Sequence, residues 1–324
     1  MSAPIYVVDD GSSDHSGGLA RRFGCVVLAT AGIGAAGARN VGISAACADV
    51  LLFTDADCIP APTWIAEMTV PFDAPAVVAT RGVYTSRQRN IVARFVQADY
   101  EDRYRRLTRG QDIDFVDTYS AGYRRQVLLD VGGFDESYPG SSVEDQELSF
   151  RLAAARVRMV FTPSASVEHV HPESIVAYWR KKVRIGYYKV RVLRVHPARL
   201  HGDNHTPGVV RFQTLLAGAT LAMVLPGLLV PRIRRTLGAT IMILMLSGTP
   251  LAVRVSRRDR TLGAVVPLLV FLRSTGLAAG LWVGLFAWLA GLEPMAESQT
   301  GAARLLCEPD AASGHAGTAG PRSR

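Results

Sequence analysis

Acidic residues nearly vanish from one long stretch of this 324-residue chain. Between Glu173 and Glu293 only Asp203 and Asp259 carry negative charge, while Arg and Lys continue throughout. That stretch supplies much of the excess behind the net charge of +8. Basic residues beside long apolar runs suit an anionic membrane surface better than nucleic acid, so membrane lipids are the expected partner and nucleic acid is not. Cysteine is also scarce, and Cys25, Cys47, Cys58 and Cys307 show no paired spacing. The spacing suggests neither a disulfide framework nor a zinc site and fits a reducing compartment. No charged-then-apolar signal segment follows Met1; a strand-like run comes almost at once.

What the chain does have is carboxylates at the ends of strands. Val50-Leu51-Leu52-Phe53-Thr54-Asp55-Ala56-Asp57 is a mostly apolar run that stops in two acids one residue apart. Buried parallel strands read as continuous apolar runs, and ligands of open α/β sheets gather at their carboxyl ends. Asp-x-Asp there offers hard oxygen ligands for Mg²⁺ or Mn²⁺, although acids in a polar turn look the same. Ile5-Tyr6-Val7-Val8 repeats the design before Asp9-Asp10-Gly11-Ser12. Two strands that deliver acids to one edge are harder to read as turns.

Between them, Cys25 to Leu28 reads as a strand, and an Ala-rich segment over 35–47 contains Arg39 and Asn40. Pro60 and Pro62 flank a turn that starts a helix through Trp64, Ile65 and Met68. Strands are also expected at Ala76–Ala79, Phe115–Tyr119 and Arg158–Thr162, and an amphipathic helix over 88–109. Strands alternating with helices predict a parallel, doubly wound α/β sheet. Leu148 and Leu152 set a helix whose first turn holds Glu144 and Asp145. Acids are favoured there by the helix dipole alone; the functional alternative makes Asp145 a general base over the cation site.

His169 and His171 flank Val170, and His171 is a candidate for metal or phosphate contact. From Ile175 to Val195 seven basic residues, Arg180 and Arg184 among them, alternate with aromatic and aliphatic ones. This is the composition of a helix lying in a membrane interface, and some of its bases are candidates to face a diphosphate. Apolar runs at 212–230 and 236–253 each suffice to span a hydrocarbon core of about 30 Å. The third run, 262–291, is interrupted by Arg273, costly at mid-membrane, so a short interfacial or re-entrant piece over 262–272 and a span over 275–291 are expected. The layout is then a catalytic domain (1–172), a basic interface segment (173–211), a membrane region (212–292) and a disordered Ala-, Gly- and Ser-rich tail (293–324). The basic cluster before residue 212 puts the first domain on the cytoplasmic face of a multi-pass membrane protein.

Asp9-Asp10-Gly11-Ser12, Ala38-Arg39-Asn40, Thr54-Asp55-Ala56-Asp57, Val131-Gly132-Gly133-Phe134-Asp135-Glu136 and Glu144-Asp145 occur in this order. The ordered set resembles family 2 glycosyltransferases of the GT-A fold, over about residues 4–190. The apolar segments resemble those of bacterial members that work on lipid-linked or envelope glycans. The resemblance implies an inverting transfer from a nucleotide-diphosphate sugar. Asp10 with Asp9 would bind the nucleotide base, and Arg39 and Asn40 would lie near the nucleotide. Asp55 and Asp57 would hold ribose and Mg²⁺ or Mn²⁺, and Asp145, with Glu144 beside it, would deprotonate the acceptor. A nucleotidyltransferase with a similar sheet, or a non-catalytic membrane scaffold, are the alternatives. Such enzymes usually start with a strand and helix ahead of the Asp-Asp-Gly-Ser strand, so an upstream unit is expected here. Tyr178-Trp179-Arg180-Lys181-Lys182 departs from the Gln-x-x-Arg-Trp of processive synthases, which favours transfer of one or a few sugars.

Overall fold

The computed structural model of the protein describes residues 3–108, 110–139 and 142–292; the tail expected to be disordered lies outside the described residues. The chain opens with β1 (Tyr6–Asp9), α1 (Ser16–Arg22), β2 (Val26–Ala29), α2 (Gly34–Ala45) and β3 (Val50–Phe53). There follow β4 (Cys58–Pro60), α3 (Trp64–Thr69), β5 (Val77–Thr85), α4 (Ile91–Tyr104) and β6 (Asp112–Ile113). The α/β portion ends with β7 (Ala121–Arg124), α5 (Arg125–Asp130), α6 (Glu144–Ala154) and β8 (Arg158–His169).

The α/β class is as expected, but the sheet is mixed. β3, β7, β5, β8 and β4 lie side by side, with β6 also on β8, and of these pairs only β5 with β8 is parallel. β1 and β2 form a separate parallel pair. An apolar run tells that a strand is buried, not which way its neighbour points. Here β7 slots antiparallel between β3 and β5 because Gly122 has no side chain: a Cβ there would meet Thr80 and Leu52. The strand expected at Phe115–Tyr119 starts later, at Ala121, after a 3₁₀ turn over Thr118–Ser120. β4 is too short for periodicity to reveal and carries Pro60, which an edge strand tolerates.

The main core lies between this sheet and α2, α5 and α6, where Ile43, Tyr123, Leu128, Phe134, Leu148 and Phe161 are buried. Burial of each such side chain stabilises the fold by about 1.5–3 kcal/mol. Leu148 and Leu152 both enter it, as their spacing of four requires.

The remainder is helical: α7 (Ile175–Val195), α8 (Gly208–Ala222), α9 (Val224–Leu229), α10 (Pro231–Leu246), α11 (Thr249–Ser256) and α12 (Arg260–Leu289). Prolines set two of the boundaries. A proline ring clashes with the carbonyl four residues earlier. For Pro226 that residue is Ala222, where α8 ends; for Pro250 it is Leu246, where α10 ends. The expected first span over 212–230 is therefore two helices. Two stretches, Pro231–Ser256 and Arg260–Leu289, are long and apolar enough to cross a membrane.

The break expected at Arg273 is not there, for α12 runs through it without interruption. Arg273 is buried, and its guanidinium binds Asp99 of α4 and Gln213 of α8. The first half of α12 packs on α4 through Val92, Phe95, Val96, Val266 and Val270. Its second half lies on α7 through Gly276, Gly280 and Gly284; a Cβ on Gly280 or Gly284 would strike α7 backbone, and one on Gly276 would be tight against Lys182 and Trp179. The basic helix is thus fixed to the last apolar one.

Candidate active site

The carboxyl end of β3 and the start of α6 meet through one arginine. Arg39, on α2, donates from Nη1 to Glu144 Oε1 at 2.8 Å and from Nη2 to Asp55 Oδ1 at 3.1 Å. Three motifs, separated by up to 105 residues, so converge on one guanidinium. The side chain of Arg39 is 14% exposed. Burial works against its charge, but Asp55 and Glu144 outweigh that and raise its pKa. Its guanidinium also sits 5.5 Å from the centroid of the Phe134 ring.

Asn40, the next residue, is occupied with the glycine loop. Its Nδ2 donates to Phe134 O and Glu136 Oε1, and its Oδ1 accepts from Phe134 N at 2.8 Å. Gly133 has φ +70°, and a Cβ on it would strike Asn40. This clasp holds Phe134 under Arg39.

Asp145 neighbours Glu144 at the N-terminus of α6 and accepts from Gln146 N at 2.7 Å. Burial, then the charges of Glu144 and Asp117, push its carboxyl well above the usual range, with Arg39 pulling the other way. A half-buried carboxylate with raised basicity is suited to accept a proton.

Asp57, two residues beyond Asp55, is the most open member of the rim, with 57% of its side chain exposed. Antiparallel pairing of β4 with β8 sets Cys58 opposite His169. His169 Nδ1 then lies 3.4 Å from Asp57 Oδ1 and 3.7 Å from Cys58 Sγ. The hydrogen bond from His169 chiefly, and the charges of His169 and Lys181, hold Asp57 below the ordinary carboxylate range. His169 is itself buried, its ring stacked on Tyr84 at 4.6 Å. A carboxylate and an imidazole nitrogen at this separation fit a divalent cation.

The other expected residues go elsewhere. Asp10 accepts from Thr30 Oγ1 and from the amides of Ile33 and Gly34 at 2.7–2.8 Å, which closes the start of α2 and lowers its pKa, the Thr30 bond most of all. Asp9 accepts from Ser12 N within its own turn. His171 is engaged with other groups: its ring Nε2 is 3.0 Å from Gln97 Oε1, and its backbone bonds Gln88. Burial drives its pKa down to about 3. Arg180 and Arg184 are exposed on α7. His169 is the rim residue that sequence reasoning passed over. Its signal was weak: a histidine one residue from the favoured one, opposite a strand of three residues.

Comparison with known proteins shows that the α/β portion is similar to glycosyltransferases. Residues 4–132 match the model of glycosyl transferase family 2. Over 195 residues it is 31% identical to a pre-mycofactocin glycosyltransferase of Mycobacterium tuberculosis, a match over 57% of this chain and 39% of that protein. An N-acetylglucosaminyltransferase of Sinorhizobium fredii is 27% identical over 199 residues, 56% of this chain and 48% of the other. The chain thus spans about two fifths to a half of the length of these curated relatives. Among solved structures, a mannosyltransferase from Pyrobaculum calidifontis in complex with GDP-Man and Mn²⁺ superposes with a TM-score of 0.51 at 18% identity. That match covers 88% of this chain and 77% of the other, and it shows a common GT-A-like fold.

Proposed function

We propose that the protein is an inverting, cation-dependent glycosyltransferase that moves a sugar from a nucleotide-diphosphate sugar to a lipid-linked or envelope-glycan acceptor at the cytoplasmic face of a membrane. The observation that carries this reading is the meeting of Asp55, Glu144 and Arg39, with Asp145 and Asp57 on the same strand-end rim. Asp57 and His169, with Asp55 beside them, would hold Mg²⁺ or Mn²⁺. When bound, the cation supplies charge neutralisation of the departing diphosphate.

The chain's own residues account for the rest. Arg39 draws the acids of β3 and α6 together and fixes Asp55 for the ribose. Asp145, basic because it is buried among other acids, takes the acceptor hydroxyl's proton as that oxygen attacks the anomeric carbon from the face opposite the leaving group. Lys181, whose charge already reaches Asp57, adds a positive field on the diphosphate side. Asp10 acts one step removed: it fixes the start of α2, which carries Arg39 about 7.5 Å further along the helix.

Support for the membrane comes from α9 and α10. Leu225, Leu228 and Leu229 are 73–85% exposed, and Met242, Ile243 and Leu246 are also uncovered. Contiguous apolar exposure beside Arg232, Arg234 and Arg235 matches a lipid surface with anionic headgroups. The test is release of nucleoside diphosphate from a panel of nucleotide sugars, in membranes, with and without Mn²⁺. Cation-dependent release that is lost in Asp57→Ala and Asp145→Asn supports the reading; full activity in either variant overturns the assigned roles.

A further inference from the structure

The cluster beside Asp55 contains a third ligand atom that transfer does not require. Cys58 Sγ lies 3.7 Å from His169 Nδ1 and 3.9 Å from Asp57 Oδ1, and the oxygen and nitrogen are 3.4 Å apart. A tetrahedral Zn²⁺ with Zn–S of about 2.3 Å and Zn–N and Zn–O of about 2.0–2.2 Å separates its ligand atoms by about 3.3–3.6 Å. The three atoms are therefore already near the corners of one face of such a tetrahedron. Strands hold two of the three ligands, and Asp57 lies in the turn directly before β4. Cys58 and His169 are cross-strand partners in the β4–β8 ladder, and Tyr84 stacks on the imidazole to set its plane.

We propose that Asp57, Cys58 and His169 form a zinc-binding site that overlaps the rim where Mg²⁺ or Mn²⁺ would act, so that Zn²⁺ displaces the hard cation and blocks transfer. The inference rests on reading this rim as a cation site. Mg²⁺ and Mn²⁺ favour oxygen ligands, whereas thiolate and imidazole favour zinc, and zinc stands above manganese in the general order of divalent affinities. On binding, the Cys58 S–H bond breaks, its proton passes to solvent, and a zinc–sulfur bond replaces a zinc–water bond; no electron is transferred. Cysteine spacing along the chain does not reveal the site, because the imidazole comes from 111 residues away across a sheet.

The full chain, stripped of metal with chelator and held in detergent or nanodisc, is titrated with Co²⁺ as a spectroscopic stand-in for Zn²⁺. The expected result is a thiolate-to-cobalt charge-transfer absorption that saturates at one equivalent, is abolished by one equivalent of Zn²⁺, and survives a large excess of Mn²⁺. Cys58→Ser is expected to remove the absorption and weaken Zn²⁺ at least about tenfold, since a neutral hydroxyl is a poor zinc ligand. His169→Ala is expected to weaken Zn²⁺ as well. The band reports Cys58 alone only if it vanishes in Cys58→Ser; a band that persists there comes from Cys25, Cys47 or Cys307 and overturns the proposal, as does unchanged Zn²⁺ affinity. No nucleotide sugar enters this experiment. Failure of transfer with the cobalt band intact sinks the enzyme reading and leaves the zinc site; the reverse outcome does the opposite.

Discussion

Two arginines in this protein gather polar groups from distant segments, and they do so to different ends. Arg39 links Asp55 and Glu144 at the rim, and Arg273 links Asp99 and Gln213 between α4, α8 and α12. The second assembly is buried and paired, although the Nε atoms of Arg273 and Arg103 have no hydrogen-bond partner among the described residues. Asp99 also accepts from Arg103 at 2.8 Å, and all its members are buried or nearly so. The first is left open: Arg39 neutralises two acids, while Asp57 and Asp145 beside them keep lone pairs to spare. A buried acid matched by buried arginines reads as structural, whereas acids crowded without enough counter-charge are the mark of a site that expects a cation or a proton.

The largest expected effect breaks the open cluster. Asp145→Asn keeps the shape and removes the base, so transfer should fall by about 10²- to 10⁴-fold. Its stability should move the other way. The folded-state pKa of Asp145 is raised above its unfolded value, so the fold binds that proton more tightly than the unfolded chain. Stability from this group is therefore present at low pH and is lost as pH rises through the folded pKa. Asn carries no such penalty, and the variant should melt higher than the parent at neutral pH, with the gap closing in acid. Thermal unfolding across pH reads this; a variant that melts lower at every pH would make Asp145 a structural residue.

Next in size is the buried cluster. Arg273→Met leaves Asp99 buried with its ion pair to Arg103 and the charge of Lys182, and loss of one partner from a buried pair costs about 3–5 kcal/mol. Burial raises the pKa of Asp99, but Arg273 and Arg103 outweigh it and bring the group down to about 2. The stability it contributes is full above its unfolded pKa of about 3.9 and is lost as pH falls toward 2. The parent should therefore lose stability across that window, and Arg273→Met should lose less. Adding Asp99→Asn to Arg273→Met should recover part of the loss. If Arg273→Met costs less than 1 kcal/mol in detergent, the ion pair does not hold α12 to the α/β domain.

The contrast also shows what could be read without coordinates. Strand-end acids announced themselves because an apolar run that stops in Asp-x-Asp is a local pattern, and the order of the short motifs carried the family. Arg273 reads in the sequence as an obstacle to membrane crossing because its partner, Asp99, lies 174 residues away. Hydropathy could not separate the two apolar stretches either. Both pass the same test, yet 56% of the apolar window of α12 is buried in protein and only 11% of that over Pro231–Ser256. Composition reports a preference for leaving water; it does not say whether lipid or protein receives the side chain. His169 was missed for the same reason as Arg273, since cross-strand neighbours have no signature in spacing.

Further down the scale, Gly280→Leu tests how α12 is held on α7. A side chain there runs into the Val183 carbonyl, so the helices must separate. Overpacking of this kind costs about 1–3 kcal/mol. Protease sensitivity of α7 should rise, and transfer should fall if Lys181 depends on that helix for its position. Unchanged proteolysis would mean that the glycine stripe is not needed for docking.

The smallest expected effect falls on the first pair of acids, which shares the strand-end design of the second but not its openness. Asp10 spends its carboxylate on Thr30, Ile33 and Gly34, so Asp10→Ala should cost about 0.5–2 kcal/mol, the usual range for losing such a helix start. Its effect on transfer should come through α2. Loosening that helix shifts Arg39, and with it Asp55, so the donor KM should rise while kcat changes little. Were Asp10 instead a direct nucleotide contact, Asp10→Asn, which keeps an acceptor for Thr30 and one amide, would raise KM as much as Asp10→Ala does. A graded response, with Asn intermediate in both melting temperature and KM, would show that the first carboxylate pair serves the second by fixing the helix between them.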